Sequence, residues 1–140
     1  MFSAEYISLF ESESEKVLGR RKVSPSQAIE DWNDLIEKIE YGYDMSAYEF
    51  DYDLDCSRTY IQHLIDSKTL RKYPEHANFI KLIDDLDNIY KEYSIENPRW
   101  RLTGHWWTRR LLKKGTADYL HAVKKYYPLV GIEPEEIKIR

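Results

Sequence analysis

Cysteine occurs once, as Cys56, which excludes an intramolecular disulfide and a structural zinc site built on cysteines, and fits a reducing cytoplasm. Glycine and proline are scarce at five each, and with a charged share of 33% this favours long solvated helices over a sheet-rich fold. No apolar run approaches the roughly 18 residues of a membrane span. Met1 to Phe10 has neither a basic leader nor a continuous apolar stretch, so the chain is expected to stay in the cytoplasm, away from membranes. The four histidines, His63, His76, His105 and His121, are scattered, and none pairs at i, i+4 around a glutamate as in a helical zinc hydrolase. No nucleophile–base motif accompanies Cys56. No catalytic residue, metal or cofactor is expected, and binding is favoured over catalysis.

What the chain does have is charge, unevenly placed. Its net charge is −4, but residues 1–98 hold 11 Lys and Arg against 21 Asp and Glu, whereas residues 99–140 hold 10 against 4. The densest part is acidic: Glu30, Asp31, Asp34, Glu37, Glu40, Asp44, Glu49, Asp51, Asp53 and Asp55 share their stretch with a single base, Lys38. At 140 residues one core can be filled and two would both be marginal, so residues 1–140 are expected to form one domain.

Apolar periodicity predicts an all-α bundle of about five helices. Residues 4–18 form the first, with Gly19 as its stop. Ser24-Pro25 caps a second, which carries Ala28, Trp32, Leu35, Ile36 and Ile39 inward and closes at Gly42. A third runs from about Ser46 to Ser67 with Phe50, Leu54, Ile61, Leu64 and Ile65 inside and Tyr48, Tyr52 and Tyr60 on its flanks. A fourth runs from Pro74-Glu75 to Asn97-Pro98 with Phe79, Leu82, Ile83, Leu86, Ile89, Tyr90 and Tyr93 on one side. Trp106-Trp107 falls in a short helical turn within an irregular connection. Thr116 caps a last helix whose inner stripe is Ala117, Leu120, Val123 and Tyr127, and residues 129–140 read either as an extended tail or as a short strand around Ile137 to Ile139.

Several patterns invite chemistry. Asp51, Asp53 and Asp55 resemble the opening of a calcium loop, but Cys56 stands where the turn needs glycine and Gln62 where the closing acid belongs. A solvated acidic face is the simpler reading. Arg58, four after Leu54 and three before Ile61, is aimed at the core, where it must be paired, and acids of the second and third helices are the expected partners. Trp106 and Trp107 with Arg109, Arg110, Lys113 and Lys114 read in two ways. They plug the end of the bundle while the bases meet the acidic helices, or, with Trp100, they stack on and neutralise a nucleic acid. The negative net charge favours plugging.

The acidic block is interleaved with aromatics beyond what a solvated helix needs. Tyr41, Tyr43, Asp44, Tyr48, Glu49, Asp51, Tyr52 and Asp55 are the candidate partner-binding residues, and Trp32, Asp53, Arg58, Trp106 and Trp107 the candidate structural ones. Rigid amphipathic rings ringed by one sign of charge suit a hot spot facing a basic protein.

The order Trp32, Leu35, Ile39, Gly42-Tyr43, Tyr48-Glu49 and Asp53-Leu54 with Arg58, followed by Trp106-Trp107 and Arg109-Arg110, resembles small helical bacterial immunity proteins of contact-dependent growth inhibition and related polymorphic toxin systems. These short motifs span about positions 30 to 125. The chain departs from that pattern at Tyr52, where an asparagine often precedes the Asp-Leu pair. The resemblance implies a cytoplasmic antitoxin that binds one cognate toxin domain, often a nuclease, and blocks its active site or substrate approach.

Overall fold

A computed structural model of the chain describes residues 1–19, 21–96, 104–126 and 138–139. Five helices dominate it, as the periodicity predicts. The first two are α1 (Ala4–Leu18) and α2 (Pro25–Tyr41). The third is continuous but not uniform: α3 (Ala47–Leu54) passes through a π-helical turn (Asp55–Thr59) into α4 (Tyr60–Ile65). The last two are α5 (Glu75–Glu92) and α6 (Ala117–Tyr126).

Each boundary has a local cause. Ser3, Ser24 and Ser46 each accept from a backbone N–H in the first turn they cap, and Gly19 ends α1 at φ 79°, a left-handed conformation that costs glycine nothing. Thr116 Oγ1 accepts from the Tyr119 N–H at the start of α6. The π-helical turn has an identifiable contributor in Ser57, whose hydroxyl donates to the Asp53 carbonyl at 2.6 Å and competes with the helical ladder.

The predicted fourth helix is too long at its end. After α5 stops at Glu92, residues Ser94–Glu96 form β1, which pairs antiparallel with β2 (Arg110–Leu112) in the register Ser94↔Leu112. The 3-10 turn Trp106–Arg109 leads into β2. β3 (Lys114–Gly115) pairs in parallel with β4 (Lys138–Ile139), within the stretch expected to hold a strand. Pro98, Trp100, Tyr127 and Ile137 lie outside the described residues. The stripe of α6 is also rotated from the expected one: Tyr119, Ala122 and Val123 are buried while Ala117 is exposed. Tyr119 turns inward because its ring packs on Tyr43 and Phe50.

The buried side chains form one contiguous cluster. The α2–α5 pair lies at its centre, joined by an edge-on contact of Trp32 with Tyr90 at 5.3 Å. α1 closes one side through Phe10 against Phe79 at 5.0 Å. Truncating a buried ring of this size to alanine removes about 3–5 kcal/mol, so these pairs carry much of the fold.

A polar link ties α1 to α5. His76, 1% exposed, accepts from the Tyr6 hydroxyl at Nδ1 (2.7 Å) and donates from Nε2 to the Ile65 carbonyl (3.1 Å). That pairing requires the neutral ring with its proton on Nε2. Burial, assisted by Arg71, holds the imidazole below its ordinary value of 6.5. The native state therefore binds this proton less readily than the unfolded chain. The associated stability is complete above pH 6.5 and declines as pH falls below it toward and through the lowered native value. Urea midpoints measured from about pH 7.5 down to about 5 should drop for the native sequence and drop less for His76→Gln. Parallel pH profiles would remove His76 from the acid response.

Candidate protein-docking surface

The sequence-predicted binding residues run from the corner where α2 ends and α3 begins, along α3, to the start of the π-helical turn. Gly42 (φ 117°) terminates α2, and four residues later Ser46 caps α3, so a short turn presents Asp44 and Met45 between two helix ends. Tyr41, Tyr48 and Tyr52 are exposed at 68%, 49% and 66%, and Met45 at 47%. Asp44, Glu49 and Asp55 are exposed beside them, and Asp51 is half-buried. Met45 was not anticipated, because it falls in the turn, outside any helical stripe.

Tyr43 is a correction. Proposed as a partner contact, it is 1% exposed, and its hydroxyl donates to Asp53 at 2.5 Å. The cause is the C-terminal segment, which the sequence left undocked. Tyr43 bridges Gly115, its carbonyl accepts from the Thr116 N–H, and its ring meets Phe50 and Tyr119 edge-on. A Cβ at Gly115 would stand 2.9 Å from the Tyr119 ring. Gly115→Ala should therefore cost about 1–3 kcal/mol by overpacking, visible as a lower urea midpoint. An unchanged midpoint would show that this corner yields freely.

Asp53, placed among the structural residues, is half-buried under that Tyr43 bond. Tyr60, expected on a flank, is 4% exposed and donates to Asp31, which also pairs with Arg21 at 3.0 Å. Burial, then the bonded carboxylate, pushes the phenols of Tyr43 and Tyr60 above their usual range. The hydrogen bond with Cys56 raises exposed Tyr52 as well. Tyr43, Tyr52 and Tyr60 thus stay neutral near neutral pH and add no negative charge to that of the carboxylates.

Arg58 is 2% exposed and paired, but not with the acids expected. Its Nε and Nη2 donate to the two carboxylate oxygens of Asp87 on α5, at 2.8 and 3.0 Å. Asp87 Oδ1 also accepts from Trp32 Nε1 at 3.0 Å, so one buried carboxylate joins α2, the π-helical turn and α5. Trp107 completes the cluster. The Arg58 guanidinium lies 4.3 Å from its ring centre, His105 stacks on it at 4.3 Å, and its Nε1 donates to Thr59 Oγ1. With both of those groups against the indole, Trp107 offers no open face to a nucleobase.

Arg110 and Lys113 do not meet the acidic helices expected of them. Arg110 donates to Ser94 Oγ and to the carbonyls of Lys91 and Ser94, and Lys113 Nζ donates to the Glu92 carbonyl. The reason is local: the end of α5 exposes carbonyls without helical partners and carries the negative end of the helix dipole, which attracts the nearest cations. Among the described residues, no group of three His, Cys, Asp or Glu side chains is placed to hold a metal ion, and no helix is long and apolar enough to cross a membrane. No protein-family model, curated protein or solved structure matches the chain.

Proposed function

We propose that this chain is an immunity protein, a cytoplasmic antitoxin that neutralises a basic toxin domain, of nuclease type, by docking on it through the α2–α3 corner. One observation carries the reading. Of the six large apolar side chains that stand exposed among the described residues, four, Tyr41, Met45, Tyr48 and Tyr52, fall within twelve consecutive residues bordered by Asp44, Glu49 and Asp55. Chance exposure scatters such side chains singly, whereas a cluster with a polar rim is typical of binding surfaces. The family resemblance of the motifs supports the same reading.

The chemistry follows from the two layers of the surface. Carboxylates raise the encounter rate with a positively charged partner, and this gain falls as salt screens it. The rings then lose water on contact and slow dissociation. Action is by binding, with no bond made or broken in the partner.

The direct test is co-expression with the C-terminal toxin domain encoded by the adjacent upstream gene, scoring growth and the purified complex. Growth rescue together with a stable complex is expected. Continued toxicity with no co-purification would overturn the proposal.

A further inference from the structure

On the side of the molecule built by the π-helical turn, α5 and Trp106 lies a cleft of about 390 Å³ whose walls include Arg58, Gln62, Asn88, Lys91 and Trp106. Three separate observations converge on it. First, a π-helical turn inside an α-helix is a rare irregularity found frequently at functional sites, and here it carries Arg58.

Second, the guanidinium is only partly satisfied. Its Nε and Nη2 edge is held by Asp87, but Nη1, on the edge turned away from that carboxylate, is buried and has no hydrogen-bond acceptor among the described residues. Trp107 compensates charge through its ring but offers no lone pair. A buried N–H without an acceptor costs about 1–3 kcal/mol, so an acceptor brought into the cleft would recover part of that cost.

Third, the cleft supplies a second cation. Lys91 Nζ rests 4.6 Å from the centre of the half-buried Trp106 ring, and among the described residues no carboxylate lies within ion-pair distance of it. The opposing acids are Asp87, already bound by Arg58 and Trp32, and Asp84 on the exposed side of α5.

We infer that this cleft is a carboxylate-binding site, in which Arg58 Nη1 and Lys91 hold the anionic oxygens, the amide of Asn88 completes their hydrogen bonding beside Gln62, whose own amide donates to Asp66, and Trp106 covers an attached apolar group. Two oxygens and a single negative charge suit the pair of donors, whereas the Asp84 charge opposes a dianion such as phosphate. The site is independent of the acidic docking corner and stands or falls apart from it. The carboxylate belongs either to a free small acid or to a peptide terminus, which share this chemistry.

Sodium benzoate titrated into ¹⁵N-labelled protein, with sodium chloride at matched ionic strength as reference, tests it through the Arg58 Nε–H and Trp106 indole N–H resonances. Saturable shifts with benzoate and none with chloride are expected. In Lys91→Met and Asn88→Leu, both altered on the exposed side of α5, affinity should fall about tenfold, the scale of one charge-assisted contact, with the unfolding midpoint nearly unchanged. A tripeptide with a free C-terminus, compared with its amidated form, identifies the source: tighter binding than benzoate points to a chain terminus, weaker binding to a small acid. Shifts no larger than those of chloride, undiminished affinity in Lys91→Met, or saturable binding of the amidated peptide equal to that of the free form would each overturn the assignment.

Discussion

Replacing Arg58 with alanine is expected to destabilise the fold by about 3–5 kcal/mol, a large part of the stability of a domain this size. The loss comes less from the attraction removed than from what is left behind. Asp87 is 5% exposed, and without the guanidinium its carboxylate keeps only the Trp32 N–H as a partner. Trp107 would also lose the cation packed on its ring. Asp87→Ala should be as damaging from the other side, stranding a buried cation and the indole N–H together. The informative control is the double replacement Arg58→Met with Asp87→Leu, which removes both charges and keeps the volume. It should recover most of the loss, because a well-packed apolar pair often matches a buried ion pair. Urea denaturation of the three variants measures this directly. Single variants within about 1 kcal/mol of the native protein would mean that solvent reaches the pair and the cluster does not hold the helices.

The second large effect is expected in binding, with stability almost untouched. Alanine at Asp44 or Glu49 should each weaken binding of the proposed toxin partner by about 2–5 kcal/mol if that partner offers a desolvated base at the centre of the contact, and far less at a rim. Alanine at Tyr48 or Tyr52 should cost about 2 kcal/mol or more and act mainly on the dissociation rate. Asp51 is a poorer probe, being half-buried, and Tyr43 is not one, being buried under Gly115 and Tyr119. Calorimetric titration with the purified toxin domain separates these cases, and unfolding midpoints confirm that each variant remains folded. Unchanged affinity across Asp44, Glu49, Tyr48 and Tyr52 would move the contact elsewhere on the protein.

Much of the fold was legible because it rests on local rules. Ser24-Pro25, Gly19, Gly42 and Thr116 mark helix ends through short-range hydrogen bonds and backbone freedom, and a 3–4 residue apolar spacing marks the inner faces. The exposed part of the candidate docking surface was legible for a related reason: Tyr41, Tyr48 and Tyr52 fall off the stripe defined by Ile39, Ala47, Phe50 and Leu54. Arg58 announced itself as a charge on an apolar face. Asp87 carries the same sign of anomaly, lying between Ile83 and Tyr90 on the buried face of α5, and two opposite charges each misplaced on an inner stripe are candidates to meet.

What the amino-acid order determined alone, then, is the number of helices, their caps, and which residues cannot lie comfortably in water or in oil. Only the tertiary structure decided which of those meet. The pairing of Arg58 with Asp87 across 29 positions, the β1–β2 ribbon, and the burial of Tyr43 by a segment more than 70 residues away all depend on contacts between distant parts of the chain. No local propensity encodes them, because their free energy is gained only after the intervening chain has been folded and its closure entropy overcome.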